Sequence, residues 1–230
     1  MCDNNREAKY QIRDTADEVA IKAIANAIDT SRAALNNGKI NGGEVFTPHW
    51  CVVDMGNMVY DKLDNLMATV FEPACGSGNI IIDVLRRKLA AAYRLGEAQF
   101  NENCKWACKS IYGIDISKDN VVQCRERMLS IVKSMYVIAY GRELDANTEK
   151  ELKAIMVDNV IWGDMIKEQM WNVDTIEAGE DGIAKKAGVT LLLHNWETNA
   201  WERLNGQAVA SWELANANVD DDEVVDDDDF

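Results

Sequence analysis

Two glycines and three acids stand out as residues suited to holding a small molecule. Gly76 and Gly78 belong to Glu72-Pro73-Ala74-Cys75-Gly76-Ser77-Gly78, and Asp115 and Asp164 follow in the chain. Glycines at alternate positions let a backbone bend tightly and approach a ligand closely. The residue three after Gly78 is Ile81, so the G-x-G-x-x-G dinucleotide fingerprint is not met. Two glycines without the third suit a nucleoside that brings no pyrophosphate. An acid at the tip of the second strand would accept hydrogens from both hydroxyls of its ribose.

Each acid needs a strand to carry it. Thr69, Val70 and Phe71 read as a short buried strand ahead of Glu72. Ser77 is the expected N-cap of a helix with Ile80, Ile81, Val84, Leu85 and Leu89 at helical spacing. Residues 110–116 read as a second strand tipped by Asp115, and Ser117 caps a helix carrying Val121, Val122, Met128, Leu129, Val132 and Met135. Thr148-Glu149-Lys150-Glu151 is a capping box, followed by a third strand from Asn159 to Asp164. Residues 189–193 are the best candidate for a fourth strand. Strands alternating with helices give an α/β fold. Upstream, Thr47 as N-cap with Pro48 at the first helical position opens another helix. A capping box at Thr15-Ala16-Asp17-Glu18 starts an N-terminal one.

At these residues a resemblance emerges. Glu72-Pro73-Ala74-Cys75-Gly76-Ser77-Gly78 closely resembles the first S-adenosylmethionine (SAM) motif of N6-adenine DNA methyltransferases, particularly type I-like modification subunits. Gly43-Glu44-Val45-Phe46-Thr47-Pro48 resembles the motif that precedes the strand in that subclass. Gly113-Ile114-Asp115-Ile116 and Trp162-Gly163-Asp164 resemble its second and third motifs. The matches run from Gly42 to about Met165, a little over half of the chain. The resemblance implies a Rossmann-like SAM-dependent methyltransferase fold, three-layer αβα, truncated after the fourth strand, with an N-terminal helical segment. The implied cofactor is SAM. Glu72, Ala74, Cys75, Gly76 and Gly78 would form its turn, and Phe46 and Thr47 would lie beside its methionine half. Asp115 would take the ribose hydroxyls and Asp164 the adenine amino group, with Ile116 and Met165 as apolar walls. A lone Gly-Asp is also a common turn. The implied activity is methyl transfer to the adenine amino group of DNA.

The family holds that amine with Asn/Asp-Pro-Pro-aromatic at the end of its fourth strand. This chain has two prolines, Pro48 and Pro73, so the motif occurs nowhere in it. Asn195 and Trp196 are the nearest equivalents, an amide and an aromatic after the candidate fourth strand. A polar turn at a strand edge explains them too.

Bulk composition narrows the function classes. A chain of 230 residues with 47% hydrophobic content suits one domain and a small appendage. The expected division is an N-terminal helical segment (1–41), a SAM-binding domain (42–218) and a disordered acidic tail (219–230). No apolar run approaches a membrane span, and the polar N-terminus lacks a signal-peptide core, which points to the cytoplasm; the resemblance implies that of a bacterium or phage-infected host. Six scattered cysteines suit reduced thiols; Cys104 and Cys108 have no second pair to complete a metal site.

Eight of the acids behind the formal charge of −15 sit in residues 220–229, and without them the remainder still stands at −7. An acidic body argues against independent duplex binding, so DNA would be reached through a partner protein. The tail ends Asp-Asp-Asp-Asp-Phe, resembling the acidic tips of phage and bacterial single-stranded-DNA-binding proteins, and would dock on a replication or restriction-modification partner or simply aid solubility. Trp171, Trp196, Trp201 and Trp212 enrich the last quarter in aromatics suited to a core, an interface or base stacking. Two further readings fit the same sequence: a noncatalytic SAM-binding regulatory subunit, and an acidic protein that mimics nucleic acid.

Overall fold

The computed structural model describes residues 47–171 and 189–204. Alternation along three short parallel strands sorts its core. β1 (Val70–Glu72), β2 (Ile111–Asp115) and β3 (Val160–Asp164) lie side by side, with Val70 opposite Ile111, Gly113 opposite Val160 and Asp115 opposite Trp162. Side chains two apart share a face. Val70, Ile111, Val160 and Trp162 therefore join one cluster, while Phe71, Ile114 and Ile161 join another on the opposite face.

Helices cover the first face. α1 (His49–Met58) and the single turn α2 (Tyr60–Leu63) precede β1. α3 (Asn79–Arg94) and α4 (Glu97–Lys109) connect β1 to β2, and α5 (Lys118–Tyr140) and α6 (Ala146–Asn159) connect β2 to β3. Ile81, Leu85 and Leu89 on α3 meet Val121, Met128 and Val132 on α5 in one buried cluster. Each such side chain contributes about 1.5–3 kcal/mol when fully removed from water. Lys88 is buried among them, its ammonium donating to the carbonyls of Asn65, Leu66 and Ala68 at 2.9, 3.1 and 2.7 Å. One side chain thus closes the connection into β1, and burial pushes its titration down to about 8.

The architecture is mixed α/β with a parallel sheet, compatible with the expected Rossmann-like fold. On the other face Leu191, Leu193 and Leu204 cover Ile114 and Ile161, and among the described residues no second helical layer exists. The fourth strand departs from expectation. Within 189–193, Val189–Thr190 (β5) pairs antiparallel with β4 (Gln169–Met170), which itself pairs antiparallel with β3. The sheet order is β1-β2-β3-β4-β5, and among the described residues only β2 pairs with β1. β3 turns back at once through Glu168, whose φ is 53°, so the chain extends the β3 side of the sheet. β6 (Leu193–Asn195) and β7 (Ala200–Glu202) form a separate hairpin.

Helix starts shift for local reasons. Pro48 rather than Thr47 occupies the cap of α1, in extended backbone with its carbonyl accepting from Cys51 and Val52. Gly78 rather than Ser77 caps α3, because Ser77 is buried and its hydroxyl accepts from Arg127. α6 begins ahead of Thr148, since Asp145 accepts from both the Thr148 N–H and hydroxyl. Ser117 caps α5 as the sequence predicts, at 3.4 Å to the Asn120 N–H. The N-terminal helix, Phe46, Trp212 and the acidic tail lie outside the described residues. Among the described residues, no helix is long and apolar enough to cross a membrane, and no cluster of His, Cys, Asp and Glu is placed to hold a metal ion.

Candidate functional site

β1 ends at Glu72, and the loop after it stays in register with β2: the Cys75 N–H donates to the Ile114 carbonyl at 2.8 Å. The chain then turns. Gly76 at φ 52° and Gly78 at φ 92° take left-handed backbone that side chains resist, and the Gly78 N–H returns to the Cys75 carbonyl at 2.8 Å. The two glycines face different surroundings. A Cβ on Gly76 would meet nothing within 4 Å among the described residues, so the turn is open to them there. A Cβ on Gly78 would lie 2.5 Å from the Cys124 sulfur, so that side is filled.

Asp115 at the tip of β2 braces the turn. One carboxylate oxygen accepts from the Gly76 N–H at 2.8 Å; the other accepts from the Ser117 N–H at 2.8 Å and the Asn120 amide at 3.2 Å. A carboxylate offers about four acceptor positions, so little of Asp115 is left to bind both hydroxyls of a ribose. Glu72 is the reverse. Among the described residues it accepts one long bond, from the Ala74 N–H at 3.4 Å, and its half-buried carboxyl is held above the ordinary carboxylate range by burial, offset by that bond. Asp164, at the tip of β3, closes its own turn by accepting from the Ile166 and Lys167 N–H groups at 2.9 and 3.1 Å. Its second oxygen lies 3.6 Å from the Lys167 ammonium.

By strand register, Glu72, Asp115 and Asp164 step diagonally across β1, β2 and β3, all on positions of the helix-covered face. Ile116 next to Asp115 is exposed, and its carbonyl accepts from the Trp162 indole at 2.9 Å; Met165 is half-buried on the opposite face. Cys75 is a buried thiol hydrogen-bonded to Cys124. That bond, then burial and neighbouring acids, push its ionisation far up, so it is no nucleophile.

The sequence predicts α5 but not that it holds this turn. Asn120, Cys124 and Arg127 recur on one face of α5 and meet Asp115, Gly78 and Ser77 respectively. The Arg127 guanidinium donates to the Ser77 carbonyl, to the Ser77 hydroxyl at 3.2 Å and to Asn79 at 3.1 Å. Asn79 in turn donates to the Thr47 carbonyl at 3.3 Å, joining the turn to the segment ahead of α1. The helical spacing of these three polar or small residues was the available signal.

Asn195 and Trp196 do not join the site. Trp196 donates to Asn159 at 2.8 Å, and Asn159 donates to the carbonyls of Cys108, Lys109 and Ile111 at the amino ends of the strands. Asn195 accepts from the Glu197 and Thr198 N–H groups and donates to Glu202 within its own hairpin. Both residues therefore lie at the end of the sheet opposite the glycine turn. No protein-family model, curated protein or solved structure matches the chain.

Proposed function

We propose that this chain is a SAM-binding domain of the N6-adenine DNA methyltransferase class. The observation that carries the reading is the glycine turn, held by the acid of the neighbouring strand and open at Gly76. Such a turn lets backbone N–H groups approach a nucleoside at the carboxyl end of parallel strands. Among the described residues Glu72 has unspent acceptor capacity beside it, and it is the residue best suited to sugar hydroxyls or an ammonium group. Asp115 keeps the turn in shape and has room for about one further donor. Asp164 offers its outer oxygen to an exocyclic amine, and Ile116 supplies exposed apolar surface next to Asp115. SAM, when bound, supplies an electrophilic methyl group on a sulfonium centre; an aromatic at Phe46 suits that cation.

A second reading is favoured by the position of Asn195 and Trp196. With the nearest counterparts of the acceptor-holding motif at the far end of the sheet, this chain serves as a SAM-binding subunit. The groups that hold adenine and DNA then come from a partner.

Calorimetry of the full chain with SAM tests the first point, and saturable binding weakened by Glu72→Gln is expected. Absence of heat and of thermal protection would end the reading. Labelled SAM with host DNA, with and without co-purifying partners, separates the two forms. Methyl transfer by the isolated chain would refute the subunit reading.

A further inference from the structure

At the amino ends of β1 and β2, the β6–β7 hairpin borders a cavity of about 280 Å3. Two indoles line it, Trp106 from the last turns of α4 and Trp196 from the hairpin. The Lys109 ammonium lies 4.7 Å from the centroid of the first ring and 5.2 Å from the second, within range of cation–π attraction to both. It pairs with no carboxylate among the described residues.

Glu197 and Glu202 line the same cavity. One Glu202 oxygen accepts from the Asn195 amide at 2.8 Å, and among the described residues the other has no donor. Both carboxylates are felt at Tyr112, whose hydroxyl donates to the His194 carbonyl at 2.6 Å. Its ionisation is pushed up to about 12, first by burial and then by the charges of Glu202 and Glu197.

One cation and two carboxylates thus share a small aromatic cavity without neutralising each other. Lys109 and Glu202 are half-buried, where a charge against apolar surface is costly unless it finds partners, and Glu197 stands exposed at the rim. A phosphate-bearing ligand would be repelled by the two acids. A simple cation would meet the charge of Lys109. A molecule carrying both signs satisfies all three groups, and the volume, near the lower end of ligand pockets, limits it to a compact one.

We infer that this cavity binds a small zwitterion of the amino-acid class with an aromatic or apolar side chain. Its carboxylate pairs with Lys109, its ammonium with Glu197 and Glu202, and its side chain packs on Trp106 and Trp196. Tryptophan at such a wall supplies large apolar area at low entropic cost.

The test uses the full chain and three probes: L-phenylalanine, phenethylamine, which lacks the carboxylate, and 3-phenylpropionate, which lacks the ammonium. Binding is followed by tryptophan fluorescence and by indole N–H signals in NMR. Phenylalanine is expected to saturate, with each deletion probe roughly tenfold weaker or worse, as for loss of one charge-assisted contact. Lys109→Met should erase the preference over phenethylamine, and Glu197→Gln, at an exposed position, should narrow that over phenylpropionate. No saturation of the wild-type chain by phenylalanine up to roughly 10 mM, equal or tighter binding of either deletion probe, or an unchanged preference in Lys109→Met would each overturn the inference. Asp115→Ala, at the other end of the sheet, should leave phenylalanine binding unchanged, so this result is independent of the SAM reading.

Discussion

The Gly76 N–H points at the Asp115 carboxylate, 2.8 Å away, across the gap between the β1 loop and the tip of β2. The bond is charge-assisted, and two more donors converge on the same side chain. Asp115→Ala should lower stability by about 1.5–3 kcal/mol, the range for hydrogen bonds to a charged group. It should also weaken SAM roughly tenfold or more, because the turn loses its shape. Urea denaturation and calorimetry check the two effects separately. Unchanged SAM affinity in a folded variant would remove the turn from the binding site.

Gly78 lacks a side chain for a reason that can be tested. An added methyl would press on the Cys124 sulfur at 2.5 Å, in a backbone conformation with φ 92°. Gly78→Ala should cost about 2–4 kcal/mol, combining overpacking with left-handed strain. Adding Cys124→Ala should recover the overpacking part and leave the strain. Strictly additive effects in the double variant would show that the sulfur is not the obstacle.

Lys88 links pH to stability. Its titration is lowered to about 8 by burial, while an unfolded lysine titrates near 10.4. Between those values the unfolded chain holds the extra proton, so stability should rise with pH. Above about pH 10 the effect is opposed by Tyr112 and Tyr140, which are both pushed up to about 12 and favour unfolding as they ionise in the unfolded chain. Denaturation at pH 8 and pH 9.5 should show the rise in the wild type and its loss in Lys88→Met. That variant should also be destabilised at pH 7, because the Leu66 and Ala68 carbonyls lose the ammonium they accept from, while the Asn65 carbonyl keeps the Ala68 N–H.

Asn159 should behave as a buried joint. Its amide donates to three carbonyls around the start of β2 and accepts from the Trp196 indole. Asn159→Ala should cost about 2–4 kcal/mol, since several buried polar groups lose their partner together. The Trp196 indole N–H signal should shift toward that of exposed tryptophan. Asn195→Ala should leave SAM affinity unchanged, and a tenfold loss would place Asn195 at the cofactor after all.

Much of the positioning frame was legible from the sequence. Apolar runs bounded by polar turns marked β1, β2 and β3, and the helical spacing of Ile81, Leu85 and Leu89 marked the face of α3. Serine caps were partly misread: Ser117 has its predicted role, whereas Ser77 is drawn inward by a guanidinium from another helix. No local pattern announces a tertiary hydrogen bond of that kind. The fate of residues 189–193 was equally hidden. An apolar run says that a strand will pair, while the partner is set by the tight return after Asp164. Asn195 and Trp196 were found by type and order along the chain, and only topology could reveal which end of the sheet they occupy.

Arg127 reaches the start of α3 across fifty positions of chain. Long loops close slowly, and contacts that depend on them consolidate after local structure has formed. The glycine bend therefore acquires its shape only once a helix from much further along has docked. Partial opening of that helix would release the bend while most of the hydrophobic interior stays closed. Affinity would then fade before the protein melts, and a bound ligand would in return protect the amides of α5 from exchange.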